Sequence, residues 1–101
     1  MSNFVDQVVE FNQRVLKIDQ RPIDMLKTSE FEISMKCLQE ELDEFEEAFK
    51  SGDIIGCIDA IIDLKYFAVG VMYKMGLTPD HMKQCMTAVH EANIVKKLGV
   101  N

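Results

Sequence analysis

The segment from Ile54 to Met72 constrains the fold of this chain more than any other feature. Wound into a helix, it presents apolar side chains in nearly every direction, which is typical of a helix that is buried on all sides. It nevertheless carries Asp59 and Asp63, which are one helical turn apart and therefore share a face. Because an isolated buried carboxylate is costly, this pair needs either a metal ion or an Arg or Lys from another helix or subunit.

Two helices are predicted before this segment. Apolar residues at spacings of three and four indicate a helix over residues 3–18, with Ser2 as its N-cap. A second helix is predicted to begin after Ser29, because a Glu three residues later gives the spacing of a capping box. It ends near residue 50 at a Ser-Gly pair, and residues 19–28 are predicted to form an irregular connection.

The boundaries of the last two helices are marked by capping residues. Asp53 is predicted to cap the third helix, which ends at Gly76. Thr78 suits the N-cap and Pro79 the first position of a fourth helix that runs to about residue 97. No stretch alternates with period two for long enough to predict a strand.

The pattern therefore predicts one all-α domain over residues 1–101, a four-helix bundle-like fold that shares a core with other copies in a homo-oligomer. The net charge of −6 argues against nucleic acid as a partner, because such sites need clustered Lys and Arg. A membrane span is excluded because the apolar segment would place two carboxylates inside the bilayer.

The cysteines and the N-terminus favour a cytoplasmic protein. Cys37, Cys57 and Cys85 form no CxxC pair and are interpreted as reduced residues in apolar surroundings. The first residues carry acids where a signal peptide would carry basic residues followed by an apolar run.

The second helix carries a dense block of carboxylates. At 100° per residue, Glu40, Glu44 and Glu47 form one line along the helix, and Glu41 lies beside it. One interpretation is that this line is the solvated face of an amphipathic helix. However, no Lys lies four residues after any member of the line, so its like charges would repel one another. The alternative is that the block faces the two aspartates of the third helix across a groove and shares divalent cations with them.

The ligand chemistry favours Mg²⁺, with Mn²⁺ as a substitute, because carboxylates are present without accompanying thiolates or imidazoles. A di-iron bundle site is excluded, since neither His81 nor His90 has a Glu three residues before it. The sequence also contains no glycine-rich phosphate loop and no nucleophile elbow. We therefore expect the chemistry to come from the carboxylates and the metal that they bind.

Three segments of the chain, in this order, resemble a known family. They are Arg21-Pro22 with the following helix that contains Leu38-Gln39-Glu40-Glu41-Leu42-x-Glu44, then Asp59-Ala60-Ile61-Ile62-Asp63-Leu64-Lys65-Tyr66 leading to Gly70, and finally Val89-His90-Glu91-Ala92-Asn93-Ile94-Val95-Lys96. They resemble the all-α nucleoside triphosphate pyrophosphohydrolases, a superfamily that includes MazG and phosphoribosyl-ATP pyrophosphohydrolase. The similarity is greatest to the short single-domain branch.

This resemblance implies Mg²⁺-dependent hydrolysis of a nucleoside triphosphate, or a related nucleotide phosphoanhydride, to the monophosphate and pyrophosphate. It implies that Glu40, Glu41 and Glu44 are Mg²⁺ ligands together with Asp59 or Asp63, or both. Glu41 and Glu44 would be the catalytic residues, with Glu41 a candidate to accept the proton of the attacking water.

The resemblance also assigns substrate contacts and an assembly. Asn93 and Lys96 would contact the phosphate or sugar of the substrate, and the protein would form homodimers or homotetramers with sites near subunit contacts. One departure is evident, because the superfamily carries Glu-x-x-Asp in its third helix. Here the residues three positions before Asp59 and Asp63 are Gly and Ala. A non-catalytic oligomerisation or nucleotide-sensing module, and a phosphoribosyl-ATP pyrophosphohydrolase, remain the alternative functions.

Overall fold

The computed structural model describes residues 3–98, and this part of the chain folds into four α-helices without a strand. The helices are α1 (Phe4–Arg14), α2 (Thr28–Lys50), α3 (Ile54–Lys74) and α4 (Pro79–Leu98). The predicted all-α class is therefore confirmed. None of the helices in this range is both long enough and apolar enough to cross a membrane.

The first helix is shorter than the sequence predicts. Asn3 is its N-cap and accepts a hydrogen bond from the backbone N–H of Asp6 at 2.9 Å, whereas the predicted cap, Ser2, lies outside the described residues. The helix ends at Arg14 rather than near residue 18, because Lys17 adopts a left-handed backbone conformation with φ of 59°. The chain then turns back, and the backbone N–H of Ile18 donates to the carbonyl of residue 12.

The predicted start of the second helix is also wrong. Its N-cap is Lys27 rather than Ser29, and the backbone N–H of Lys27 donates to the Glu30 carboxylate at 3.2 Å. Glu30 also pairs with Arg21 at 2.7 Å, so the ion pair fixes the beginning of the helix to the connection before it. Ser29 consequently lies inside the first turn.

The predicted boundaries of α3 and α4 are confirmed by their caps. The Asp53 carboxylate accepts from the backbone N–H of Gly56 at 2.9 Å, and the Thr78 hydroxyl accepts from that of His81 at 3.2 Å. The turns before these caps contain Gly52 and Gly76, with φ of 70° and 93°. Glycine suits both positions, since a Cβ atom disfavours the left-handed region.

The buried core is small and lies between α1, α3 and the start of α4. Its fully or almost fully buried members are Val8, Val9, Val69, Tyr73 and Met82. The Tyr73 hydroxyl donates to the carbonyl of Ile18 at 2.7 Å, which ties the connection after α1 to the core. The second helix contributes little to this cluster and instead packs along α3.

A large apolar surface is left exposed in the single chain. On α3, Ile54, Ile55, Ile58, Ile61 and Ile62 are 44–75% exposed, and on α2, Phe31, Leu42, Phe45 and Phe49 are 36–74% exposed. The prediction that α3 is buried on all sides is therefore wrong for one copy of the chain, because the described residues supply no element that covers this face. All residues over 83–98, the distal part of α4, are exposed as well.

Candidate active site

The second and third helices run side by side in opposite directions, joined by residues 51–53. Near the connection, Ala48 lies against Gly56, where a Cβ would come within 3.1 Å of the Ala48 Cβ. Each step of seven residues along an α-helix returns to nearly the same face. One such step towards the beginning of α2 leads from Ala48 to Glu41, and one step towards the end of α3 leads from Gly56 to Asp63.

Glu41 is the acidic side chain of α2 that faces α3. It is only 9% exposed, and its Oε2 atom is buried without a hydrogen-bond partner. Burial raises the pKa of Glu41 from 4.5 to about 7, with further contributions from the neighbouring carboxyl of Glu44 and from the charges of Asp63 and Asp59.

On α3, Asp63 is partly buried. Its pKa is raised mainly by burial, then by the negative charges of Asp59 and Glu44. The structure therefore brings together four acidic side chains from two helices, which we call the carboxylate cluster: Glu41, Glu44, Asp59 and Asp63.

No basic side chain of the described range forms a salt bridge with this cluster. The ion pairs in residues 3–98 join Arg14 to Glu10, Arg21 to Glu30 and Lys50 to Glu46. Lys65, the cation nearest in sequence to Asp63, instead lies over the ring of Phe4, with its Nζ atom 4.5 Å from the ring centroid. The interpretation that Arg or Lys of the same chain neutralises the aspartates is therefore not supported.

Glu40 occupies a different position from its neighbours. It is exposed, and it is not among the charges that raise the pKa of Glu41 or Asp63. The predicted acidic line through Glu40, Glu44 and Glu47 thus does not coincide with the face of α2 that meets α3. The assignment of Glu40 as a metal ligand stays a prediction.

The chemistry of the carboxylate cluster fits a hard divalent cation. All its donors are carboxylate oxygens, and the partnerless Oε2 of Glu41 is a buried acceptor that a cation would satisfy. Within residues 3–98, however, no three acidic, His or Cys side chains converge closely enough to enclose an ion as they stand. Rotation of the exposed Glu44 and Asp59 side chains is therefore required for joint coordination.

An open groove gives access to the cluster. It encloses about 300 Å³ and is lined by residues at the joined ends of α2 and α3, including Glu44, Glu47, Asp53, Gly56 and Asp59. Asp53 is a carboxylate that the sequence reasoning assigned only to helix capping, although it lies six residues before Asp59 and lines the same groove.

The structure shows why a Glu is disfavoured at the two positions where the resemblance led us to expect one. A Cβ at Gly56 would lie 2.5 Å from an oxygen of the Asp53 carboxylate, so a larger residue would displace the cap of α3. Ala60 is 2% exposed, so the beginning of a longer acidic side chain at this position would be buried. The cluster is therefore built without the missing Glu.

Asn93 and Lys96 lie on the exposed distal part of α4. Neither is among the groups that affect the pKa of Glu41 or Asp63, and neither lines the groove at the joined ends of α2 and α3. In a single chain, the two residues are therefore not placed beside the carboxylate cluster, where the substrate would bind. They stay predictions that depend on another subunit.

The comparisons with known proteins agree with this architecture. The family model for phosphoribosyl-ATP pyrophosphohydrolase matches residues 8–93, which include every member of the carboxylate cluster and end at Asn93, before Lys96. No curated protein and no solved structure gives a significant match. Because the match covers most of the sequence, the chain belongs to the phosphoribosyl-ATP pyrophosphohydrolase family.

Proposed function

We propose that this member of the phosphoribosyl-ATP pyrophosphohydrolase family is a Mg²⁺-dependent hydrolase of a nucleoside triphosphate or a related nucleotide phosphoanhydride. The products are the nucleoside monophosphate and pyrophosphate. The observation that carries the proposal is the buried Glu41, whose pKa is raised by burial and by three nearby carboxylates of α2 and α3, without a basic partner in the described chain. Such an arrangement is costly unless a cation occupies it.

Four carboxylates would hold the metal: Glu44, Asp59 and Asp63, with Glu41 behind them. When bound, Mg²⁺ would neutralise charge that develops on the phosphate oxygens and would orient the substrate. Glu40 remains a further candidate ligand from the exposed side of α2. Mn²⁺ would serve as a substitute because it accepts the same oxygen ligands.

Glu41 is the residue best placed to accept a proton. Hydrolysis adds water across the anhydride bond, so one proton leaves the attacking water while the bridging oxygen departs with pyrophosphate. Its carboxylate would accept this proton in the ionised form, which a bound Mg²⁺ would favour over the protonated one. The groove at the joined ends of α2 and α3 leaves Glu44 and Asp59 open to the substrate.

A homo-oligomer would complete the site. The isoleucines of α3 and the phenylalanines of α2 form an apolar surface of the kind that is normally covered by a partner. We propose that this surface is covered by a second copy in a homodimer, or by neighbouring copies in a homotetramer. The partner's α4 would then bring Asn93 and Lys96 to the substrate, where Lys96 adds a positive charge and Asn93 a neutral hydrogen-bonding group.

Two alternatives are tested by the same experiment. The family match favours phosphoribosyl-ATP as one substrate, since that is the compound in the family's name. The lack of three converged ligands among residues 3–98 favours a nucleotide-sensing module without turnover. Cytoplasmic location stays a prediction from the sequence.

The test is pyrophosphate release from a panel of NTPs, dNTPs and phosphoribosyl-ATP, with Mg²⁺, with Mn²⁺ and with EDTA. We expect metal-dependent release that Glu44→Gln reduces at least about 100-fold without loss of helical content. Glu32→Gln, on an exposed part of the same helix, is the matched control and should keep wild-type activity. Wild-type turnover by Glu44→Gln at saturating Mg²⁺ would refute the ligand assignment, and nucleotide binding without release would favour the sensing module.

A further inference from the structure

We propose that Asp53 is a further ligand of the metal ion, in addition to its role as the N-cap of α3. The inference rests on the proposed function, because it takes the ion to be the divalent cation of the carboxylate cluster. It adds to that site a carboxylate from the connection between α2 and α3, which neither helix supplies.

The two oxygens of the Asp53 carboxylate have different surroundings. Oδ1 accepts the capping hydrogen bond from the backbone N–H of Gly56 at 2.9 Å. Within residues 3–98, Oδ2 accepts no hydrogen bond and joins no salt bridge, and the residue is exposed. Because an ionised carboxylate offers about four acceptor sites, Asp53 can cap the helix and bind a cation at the same time.

The position of Oδ2 is known from its proximity to Gly56. A Cβ atom at residue 56 would lie 2.5 Å from Oδ2 and 3.1 Å from the Cβ atom of Ala48, so the Asp53 carboxylate lies close to the contact between α2 and α3. On α2, Glu44 is four residues before Ala48, and on α3, Asp59 is three residues after Gly56. Residues at these spacings are neighbours on a helix surface. Asp53 therefore lies about one helical turn from both exposed members of the carboxylate cluster.

The lack of a side chain at Gly56 makes this arrangement possible. Any other residue would bring its Cβ atom against the Asp53 carboxylate at a distance that such atoms essentially never show. Gly56 has no positive φ, unlike Gly52 and Gly76, so backbone conformation does not require a glycine there. Glycine within a helix costs about 0.5–1 kcal/mol relative to Ala, which the free space for the carboxylate offsets. The carboxylate that position 56 lacks is in this way supplied by position 53.

A separate observation indicates a cation beside these residues. The Glu41 side chain is 9% exposed, and its Oε2 atom is buried without a hydrogen-bond partner among the carboxylates of the cluster. Such an acceptor in negative surroundings is costly without a cation. Two members of the cluster, Glu44 and Asp59, line the same groove as Asp53. Their exposed side chains must rotate to coordinate an ion jointly, whereas Asp53 is already held by its capping bond.

Two substitutions separate the capping role of Asp53 from metal binding. Asn and Ser are about as effective as Asp at an N-cap, so Asp53→Asn and Asp53→Ser keep the start of α3 and remove only the charge. We expect the melting temperatures of both variants in EDTA to lie within about 5 °C of wild type. A change in metal affinity then does not arise from loss of the helix.

The binding assay uses the metal alone, without substrate or turnover. Mn²⁺ is titrated into each protein in about 0.15 M KCl, and the free ion is measured by electron paramagnetic resonance. We expect Asp53→Asn and Asp53→Ser to weaken Mn²⁺ binding at least about ten-fold. Asp43→Asn removes the same charge from an exposed residue of α2 outside the groove, and should weaken binding less than about three-fold because of screening. Wild-type affinity in Asp53→Asn, or an equal effect of Asp43→Asn, would overturn the proposal.

Gly56→Ala displaces the Asp53 carboxylate without removing a charge, since the added Cβ atom takes the place next to Oδ2. We expect Mn²⁺ affinity to fall about 3- to 10-fold. In the Asp53→Asn background, the same substitution should add less than about two-fold, because the carboxylate that it displaces is already absent. Fully additive effects of the two substitutions would contradict a role of Asp53 at this position.

The ligand assignment and the hydrolytic function can fail separately. Mn²⁺ binding that depends on Asp53 without pyrophosphate release would refute the hydrolase and retain the ligand. Mn²⁺ binding that is weakened by Glu44→Gln and not by Asp53→Asn would retain the metal site and refute the role of Asp53. No binding of Mn²⁺ by the wild-type protein below about 1 mM would refute both.

Discussion

Replacement of Glu41 by Gln should stabilise the metal-free protein at pH 8 while it abolishes hydrolysis. The substitution keeps the shape of the side chain and removes a buried negative charge that faces Glu44, Asp59 and Asp63. A gain in stability with a loss of activity is expected where a site holds like charges together for its function.

The magnitude follows from the pKa of Glu41, which is 4.5 as a free side chain and about 7 in the folded chain. The folded state therefore binds more protons than the unfolded state between these values, so the free energy of unfolding falls as the pH rises through this window. At about 1.4 kcal/mol per pH unit, the full penalty above pH 7 is at most about 3.5 kcal/mol. Solvent at the open end of the groove reduces it, and we expect about 1–2 kcal/mol between pH 5 and pH 8.

The assay is urea denaturation followed by circular dichroism, in EDTA, at pH 5 and pH 8 and at one protein concentration, since assembly also affects stability. Glu41→Gln should unfold at higher urea than wild type at pH 8 and should lose most of the pH dependence. Glu32→Gln, an exposed control on the same helix, should keep both. If Glu41→Gln were no more stable than wild type at pH 8, the carboxylate would not be a buried, uncompensated charge.

Three other perturbations test the site and the fold. Asp63→Asn should reduce pyrophosphate release more than Asp59→Asn, at least about ten-fold more, because Asp63 is partly buried, which is the main cause of its raised pKa, whereas Asp59 is exposed. Gly76→Ala should cost more than 2 kcal/mol, roughly twice the cost of Gly52→Ala in thermal denaturation, since only at position 76 does an added Cβ run into backbone. Tyr73→Phe should lower the free energy of unfolding by about 1 kcal/mol through loss of a buried hydrogen bond, and an unchanged midpoint in urea would contradict that contact.

The sequence predicted helix boundaries well where local chemistry decides them. Asp53 and Thr78 cap α3 and α4 as predicted, because each side chain reaches a backbone N–H only three residues away. The start of α2 was predicted wrongly because Ser29 also has an acidic residue three positions later. There the choice was made by the ion pair between Arg21 and Glu30, which joins residues that are close only after folding.

The candidate site was only partly predictable for a similar reason. The pairing of Asp59 with Asp63 follows from helical spacing alone, and their proximity to Glu44 was inferred from the paired helices. Periodicity suggested that Glu40 leads the acidic line, whereas the packing of α2 on α3 buries Glu41 instead. A change of one residue in helical phase is small in sequence but decides which carboxylate faces α3.

The buried polar side chains of Asn12 and Ser34 could not be predicted from the sequence. The two residues lie on different helices and have ordinary helical surroundings in the sequence, so no motif singles them out. Their burial appears only when α1 and α2 pack on α3. The exposed isoleucines of α3 show the opposite situation, because the sequence indicated that they need a cover that one chain does not supply.

The distal part of α4 has a consequence for how this protein can be observed. Every residue over 83–98 is exposed, yet an isolated helix of this length is only marginally stable in water. In the proposed homo-oligomer, contacts with another copy would stabilise the helical state of the segment. Far-ultraviolet ellipticity should decrease on dilution as copies separate, so a simple spectroscopic titration becomes a measure of assembly.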